Sequence, residues 1–265
     1  MIRIRPIAAA AFAAALLAAA ATPALAARDK EAKRANTRYV ARDVETLYAR
    51  ARTLLDRKLY KEAALAFDEV ERQHPYSVWA RRAELMSAFS YWASRDYPQS
   101  VLSAQRFISL HPGYKDAPYA YYLISIDYYE QINDVEHDQK TSAQALSALT
   151  ELVRRFPDTP YAADARLKID LVRDHLAGKE MEIGRFYQGK KQWLASVGRF
   201  RNVVDNYPTT SHAPEALERL VETYLALGLP EEAKKAGAVL GYNYPGSVWY
   251  ERAYAMLGKY GDLKA

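Results

Sequence analysis

From Leu47 onward, apolar positions recur at three- and four-residue intervals, and short polar breaks interrupt them at regular distances. The spacing predicts a helix through Leu47–Leu55, a break at Asp56-Arg57-Lys58, and a second helix from Tyr60 to Gln73 that Pro75 stops. Two helices of this length cannot bury both of their apolar faces alone, so the pair needs neighbours. The chain supplies them by repetition. Pro75, Pro112, Pro157, Pro208 and Pro245 each close an apolar-periodic segment, 37, 45, 51 and 37 residues apart, at the place where proline can follow a helix but not continue it. Twelve residues before these prolines stand Ala63, Ser100, Ala145, Ser196 and Ala233; five residues before them stand Val70, Phe107, Leu152, Val203 and Leu240. The small residue lets the helices of a pair approach closely. The apolar one lies two turns further along the same face and is expected to pack on the next pair.

A helix–turn–helix unit of about 34 residues is the tetratricopeptide period. Ala51, Ala63, Phe67 and Pro75 fall at that motif's relative spacings, and so do Ala88, Tyr91, Ser100 and Pro112. The expected fold is all-α: a right-handed α-solenoid of about five tetratricopeptide-like helical hairpins plus a C-terminal capping helix. The second pair opens at Ser77, a natural N-cap, runs through Met86, Phe89 and Trp92, turns at Ser94-Arg95-Asp96 and returns over Tyr97–Leu110. The third has Pro118 near its start and a polar interruption from Ile132 to Thr141 that lengthens the unit. In the fourth, Thr159-Pro160 supplies cap and first turn. Tyr161–Leu176 and Lys179–Gln188 are then one long helix or two helices kinked at Gly178. The fifth runs from Ala213 through Leu227, breaks at Gly228-Leu229-Pro230 and returns to Tyr242. A last helix from Val248 to about Gly258 is expected to cap the array. Pro75-Tyr76-Ser77-Val78-Trp79 recurs there as Pro245-Gly246-Ser247-Val248-Trp249.

The ends read differently. Arg3 and Arg5, the apolar run Ile7–Ala21, a break at Thr22-Pro23 and the small-x-small Ala24-Leu25-Ala26 predict a secretory signal over residues 1–26, with a mature start at Ala27. Export, in the alanine-rich style of bacterial signals, points to a periplasm. The formal net charge of +5 is concentrated at the front. Without the signal it is +3, and within residues 27–43 the stretch Arg28–Arg42 alone carries +4, leaving the repeats close to neutral. That segment is expected to be a basic flexible arm, able to touch anionic lipid at about 1 kcal/mol per basic residue near the surface. The expected division is then 44–157 for the N-terminal repeats, 158–258 for the C-terminal repeats and cap, and 259–265 for a frayed tail. Nucleic acid is an unsuitable partner for an exported chain whose basic arm has no aromatic interleaving.

The search for chemistry finds little. Cysteine is absent, which removes disulfides, thiolate metal sites and cysteine nucleophiles. Phosphate-binding glycine loops, a Gly-x-Ser-x-Gly elbow and His-Glu-x-x-His are also missing. The five histidines are scattered, with His74 and His111 each preceding a repeat proline. Asp68-Glu69 and Glu231-Glu232 read as solvated helix surface. No enzyme activity, cofactor or metal is expected. Tyr119, Tyr122 and Tyr129 share a helix face. That stripe either holds a peptide, tyrosine giving contact area at low entropy cost, or packs between repeats.

The phrases Gln73-His74-Pro75-Tyr76, Gln105–Pro112, Leu152–Tyr161, Ala162–Ala165, Phe186-Tyr187 and Trp193–Arg199, in this order and with inserts between them, resemble the BamD family, the tetratricopeptide component of the outer-membrane β-barrel assembly machinery. The resemblance covers about Leu47 to Tyr242. It implies a non-enzymatic scaffold on the periplasmic face of the outer membrane. Its C-terminal repeats would bind the barrel insertase and its N-terminal repeats the signals of unfolded barrel precursors, alongside accessory assembly lipoproteins. By the same resemblance Arg199, with Asp138 and Gln139 of the insert, falls at the insertase contact, and Pro75, Tyr76 and Trp79 fall at the precursor pocket. The family is normally anchored through a cysteine after the signal, and this sequence has none. A periplasmic tetratricopeptide adaptor for cell-wall synthesis or cell division is the alternative that proline-spaced repeats equally allow.

Overall fold

The computed structural model describes residues 43–132 and 139–262. The chain divides into residues 1–43 and 44–265. The expected signal peptide and nearly all of the basic arm lie outside the described residues, as does Asp138. All the described helices belong to the second unit.

Eleven helices make up the described part: α1 (Val44–Asp56), α2 (Tyr60–Gln73), α3 (Val78–Ala93), α4 (Tyr97–Leu110), α5 (Ala117–Glu130), α6 (Gln139–Arg155), α7 (Pro160–Gly189), α8 (Trp193–Asn206), α9 (Ala213–Ala226), α10 (Pro230–Asn243) and α11 (Val248–Asp262). Each helix packs on the next. The first helices of successive pairs also touch one another (α1 on α3, α3 on α5, α5 on α7, α7 on α9, α9 on α11), whereas the second helices do not. This is a tetratricopeptide-like helical solenoid, built by stacking pairs as the repeat requires.

The two proline-referenced columns are its core. Ala63, Ser100, Ala145, Ser196 and Ala233 are fully buried, and so are Val70, Phe107, Leu152, Val203 and Leu240. The backbone repeats with them. His74, Phe156, Tyr207 and Tyr244, like His111, each donate an N–H to the carbonyl of the apolar residue four positions back, at 2.9–3.0 Å. The proline that follows keeps this residue out of the α region: His74, His111, Tyr207 and Tyr244 sit at φ near −131 to −137° and ψ 46–59°. Ser77 caps α3 by accepting from Ala80 N at 3.0 Å, and Thr159 caps α7 by accepting from Ala162 N at 3.2 Å. Between the helices of a pair the chain turns through left-handed residues, Lys58, Arg95, Lys191 and Gly228, with φ of 59°, 62°, 58° and 73°.

Of the two alternatives for the opening of the fourth pair, the structure has the single uninterrupted helix, 30 residues long. Its glycines serve close approach instead of a kink: a Cβ on Gly178 would meet the His212 ring at 3.1 Å, and one on Gly184 would meet the Phe200 ring at 2.5 Å. Two expectations are corrected. The polar interruption of the third pair ends earlier than Thr141, because Gln139, Lys140 and Thr141 already form the first turn of α6. The capping helix runs to Asp262, past Gly258 and into the expected tail. Glycine weakens a helix by about 1 kcal/mol but does not end one where no left-handed turn follows.

Candidate functional site

Two groups of residues are candidates for contact with partners, and they lie in different pairs. In the first group, Pro75 follows α2, Tyr76 is wholly exposed, and Val78 beside it is 58% exposed. Trp79 is turned inward instead. Its ring lies 4.8 Å from that of Tyr48, which in turn meets Phe67 at 5.5 Å, and the Arg82 guanidinium stands over it at 5.6 Å. Trp79 therefore braces the first pair and leaves Tyr76 as the free aromatic of the phrase. The C-terminal echo is structural as well: Ser247 accepts from Tyr250 N at 3.1 Å, and Arg252 lies over Trp249 at 4.9 Å.

The tyrosine stripe is a packing seam. Tyr119 and Tyr122 lie against Tyr161 of α7, with ring centroids 5.5 and 5.1 Å apart. The Tyr122 hydroxyl donates to Asp164 Oδ2 at 2.8 Å, and Lys168 donates to the same carboxylate while reaching over the Tyr129 ring. Burial raises both phenols, Tyr119 to about 12 with Tyr161 adding to it, and Tyr122 further through its bond to Asp164. Helical periodicity showed that these rings share a face, but not that α7 lies against that face.

The second group centres on Arg199 of α8. Its Nη1 sits 3.3 and 3.1 Å from the two oxygens of Glu180 on α7. The Glu180 side chain is 8% exposed and the Arg199 side chain 41%. The pair borders a shallow depression of about 590 Å³ that continues along α8 past Arg201, Asn202 and Asp205. Repeat register singles Arg199 out: nine residues before the other repeat prolines stand Ala66, Ser103, Ala148 and Ala236. One long cation thus replaces a small residue and needs a buried carboxylate to hold it. Gln139 opens α6.

Sequence reasoning missed the buried acids. Asp68 is no solvated surface group; it accepts from Ser87 and, at 2.7 Å, from Tyr91. Glu84 of α3 is 3% exposed. Burial, then the neighbouring Glu71 carboxyl, pushes it up to about 7. Arg106 pairs with Glu71 at 2.7 Å, and His111 Nε2 approaches Glu84 at 3.3 Å. Burial, aided by the charge of Arg81, depresses His111. These groups sit where pairs meet. The available signal was Glu84's place within a run of buried small residues, Ala80, Ala83, Ser87 and Ala88. Glu231 and Glu232, by contrast, pair with Lys234 and Lys235 on the surface, as expected. Among the described residues no group of three or more His, Asp or Glu is arranged to hold a metal ion, and no helix is long and apolar enough to cross a membrane.

Stacked helical pairs presenting an exposed aromatic at one site and an anchored arginine at another define a solenoid of the tetratricopeptide class. The family described as YfiO, outer membrane lipoprotein, matches residues 40–240, and the chain belongs to it. Its relatives include proteins named outer membrane protein assembly factor BamD. The one from Caulobacter vibrioides is 53% identical over 231 residues, 87% of this chain and 76% of the relative. That from Rickettsia prowazekii is 49% identical over 82% of this chain and 86% of its own length. One from Neisseria meningitidis is 30% identical over 80% and 83%.

Proposed function

We propose that this chain is a non-catalytic scaffold in the assembly of outer-membrane proteins. In this reading the C-terminal repeats hold the barrel insertase through Arg199, with Asp138 and Gln139 of the third pair's insert as further contacts, and the N-terminal repeats receive precursor signals around Pro75 and Tyr76. The observation that carries the reading is membership of the assembly-factor family at half identity over most of the chain. The isolated arginine in an otherwise small-residue column supports a contact at that point. An arginine whose side chain is 41% exposed and which meets the carboxylate through Nη1 keeps donors for a second, acidic partner. Trp79 is left to packing, and the same holds for Tyr119 and Tyr122, whose faces are occupied by Tyr161. Attachment at the periplasmic face of the membrane then runs through the insertase.

The test is affinity purification of the tagged chain from detergent-solubilised membranes, with protein identification. The insertase and the accessory assembly proteins are expected in stoichiometric amounts. Recovery of cell-wall synthesis or division proteins in their place would replace this reading with that of a periplasmic adaptor.

A further inference from the structure

Asp127 occupies a position that three of the other four pairs give to a hydroxyl. The turn residues Lys58, Arg95, Ile132, Lys191 and Gly228 are equivalent, because each donates its N–H to the carbonyl three residues back, at 2.8–3.1 Å. Five residues before them stand Thr53, Ser90, Asp127, Phe186 and Thr223. Thr53, Ser90 and Thr223 each donate to the carbonyl four residues back, at 2.9, 2.6 and 2.7 Å. Asp127 has no such donor. It is fully buried, and neither carboxyl oxygen has a hydrogen-bond partner. An ionised carboxylate in that state is among the most unfavourable groups a protein interior can hold.

Among the described residues the surroundings supply no cation. On its own helix, Glu130 adds negative charge, and the Gln131 amide donates to the Asp127 backbone carbonyl, not to the carboxyl. From α4, Tyr97 gives its hydroxyl to Glu130 at 3.1 Å. Arg95, in the turn after α3, acts on Tyr97. From α7, Lys168 is committed to Asp164. The group that faces Asp127 is Ser100 of α4, whose proton already goes to the Ala88 carbonyl of α3 at 3.0 Å. Its lone pairs remain free to accept.

We propose that Asp127 is held as the neutral acid and donates to Ser100 Oγ, closing a relay from α5 through α4 to α3 that fastens the second pair to the third. Loss of that proton to solvent forces Ser100 to abandon Ala88 or leaves the carboxylate bare, so the seam is a proton-operated joint. Burial pushes Asp127 up to about 7, and the Glu130 charge adds to the rise; Ser100 opposes it only as a donor, a role its bond to the Ala88 carbonyl already takes. Because the folded value lies above the unfolded one, the seam's stability is complete below pH ~4. It is lost progressively as pH climbs to about 7.

The experiment is hydrogen exchange of the α5 amides in the full chain, corrected for intrinsic rates, at pH 6 and pH 8. The carboxyl carbon of Asp127 is titrated by NMR alongside. Opening is expected to become about tenfold more favourable from pH 6 to 8, the linkage of one proton held near 7. Glu84 in α3 titrates in the same range, so the comparison with Asp127→Asn carries the result. The amide donates to Ser100 at every pH, and the excess opening at pH 8 should vanish. Should the variant fail to fold, the wild-type titration decides. A carboxyl carbon titrating near 4, or an Asn variant that keeps the full tenfold change, overturns the proposal.

Discussion

Replacing Arg199 by alanine perturbs two things at once, and the structure allows them to be separated. The guanidinium lies 3.1 Å from a carboxylate that is 8% exposed. At an effective dielectric of about 20 the gross attraction at that distance is about 5 kcal/mol. Exposure of 41% of the arginine, desolvation of Glu180 and the entropy of the long side chain offset most of it, leaving about 1–2 kcal/mol. Arg199→Ala removes that gain and orphans a buried carboxylate, so the expected loss of stability is about 2 kcal/mol, or roughly 4–8 °C in Tm for a chain of this size. Adding Glu180→Gln to the variant removes the orphaned charge and should restore about half. The assay pairs thermal unfolding by circular dichroism with affinity for the insertase's periplasmic domain. If Arg199 touches the partner, both variants lose affinity alike while only the double variant regains stability. Affinity that returns together with stability would show that the arginine acts on the partner only through the fold. An unchanged Tm for Arg199→Ala would refute the energetic reasoning itself.

Other outcomes follow from the same geometry. Gly184→Ala puts a methyl 2.5 Å from the Phe200 ring and should lower stability by about 1–3 kcal/mol, with partial rescue by Phe200→Leu, both read from thermal melts. Tyr122→Phe removes the hydrogen bond to Asp164 and should lower stability by about 1 kcal/mol, with no change in affinity for a precursor-derived peptide measured by fluorescence anisotropy. Arg95→Gly relieves a left-handed residue at φ 62° and should stabilise the fold by about 0.5–1 kcal/mol. A drop in its melting temperature would contradict that.

Repeat architecture was legible because it is written in columns. Proline, the apolar residue five positions earlier and the small residue twelve earlier each report a local constraint, and five copies make the register plain. Gly178 was ambiguous because glycine fits equally at a kink and under a neighbouring ring; His212, 34 positions away, decides it. Periodicity placed Tyr119 and Tyr122 on one face but could not tell whether that face meets solvent or another helix, and Tyr161 supplies the answer. Arg199 came from resemblance alone; its register among Ala66, Ser103, Ala148 and Ala236 stands in the sequence, but its hold on Glu180 required the fold. Asp127 and Glu84 were illegible for the opposite reason. Acids are expected outside, and only the neighbouring pairs bury these two.

The most direct measurement is a titration of the purified chain with the periplasmic domain of the proposed partner, an outer-membrane barrel insertase, followed by calorimetry. Saturable one-to-one binding, weakened equally by Arg199→Ala and by Arg199→Ala with Glu180→Gln, is the expected result. Absence of heat and of complex at protein concentrations of about 100 μM, a range in which even weak specific pairs associate, would contradict the scaffold account.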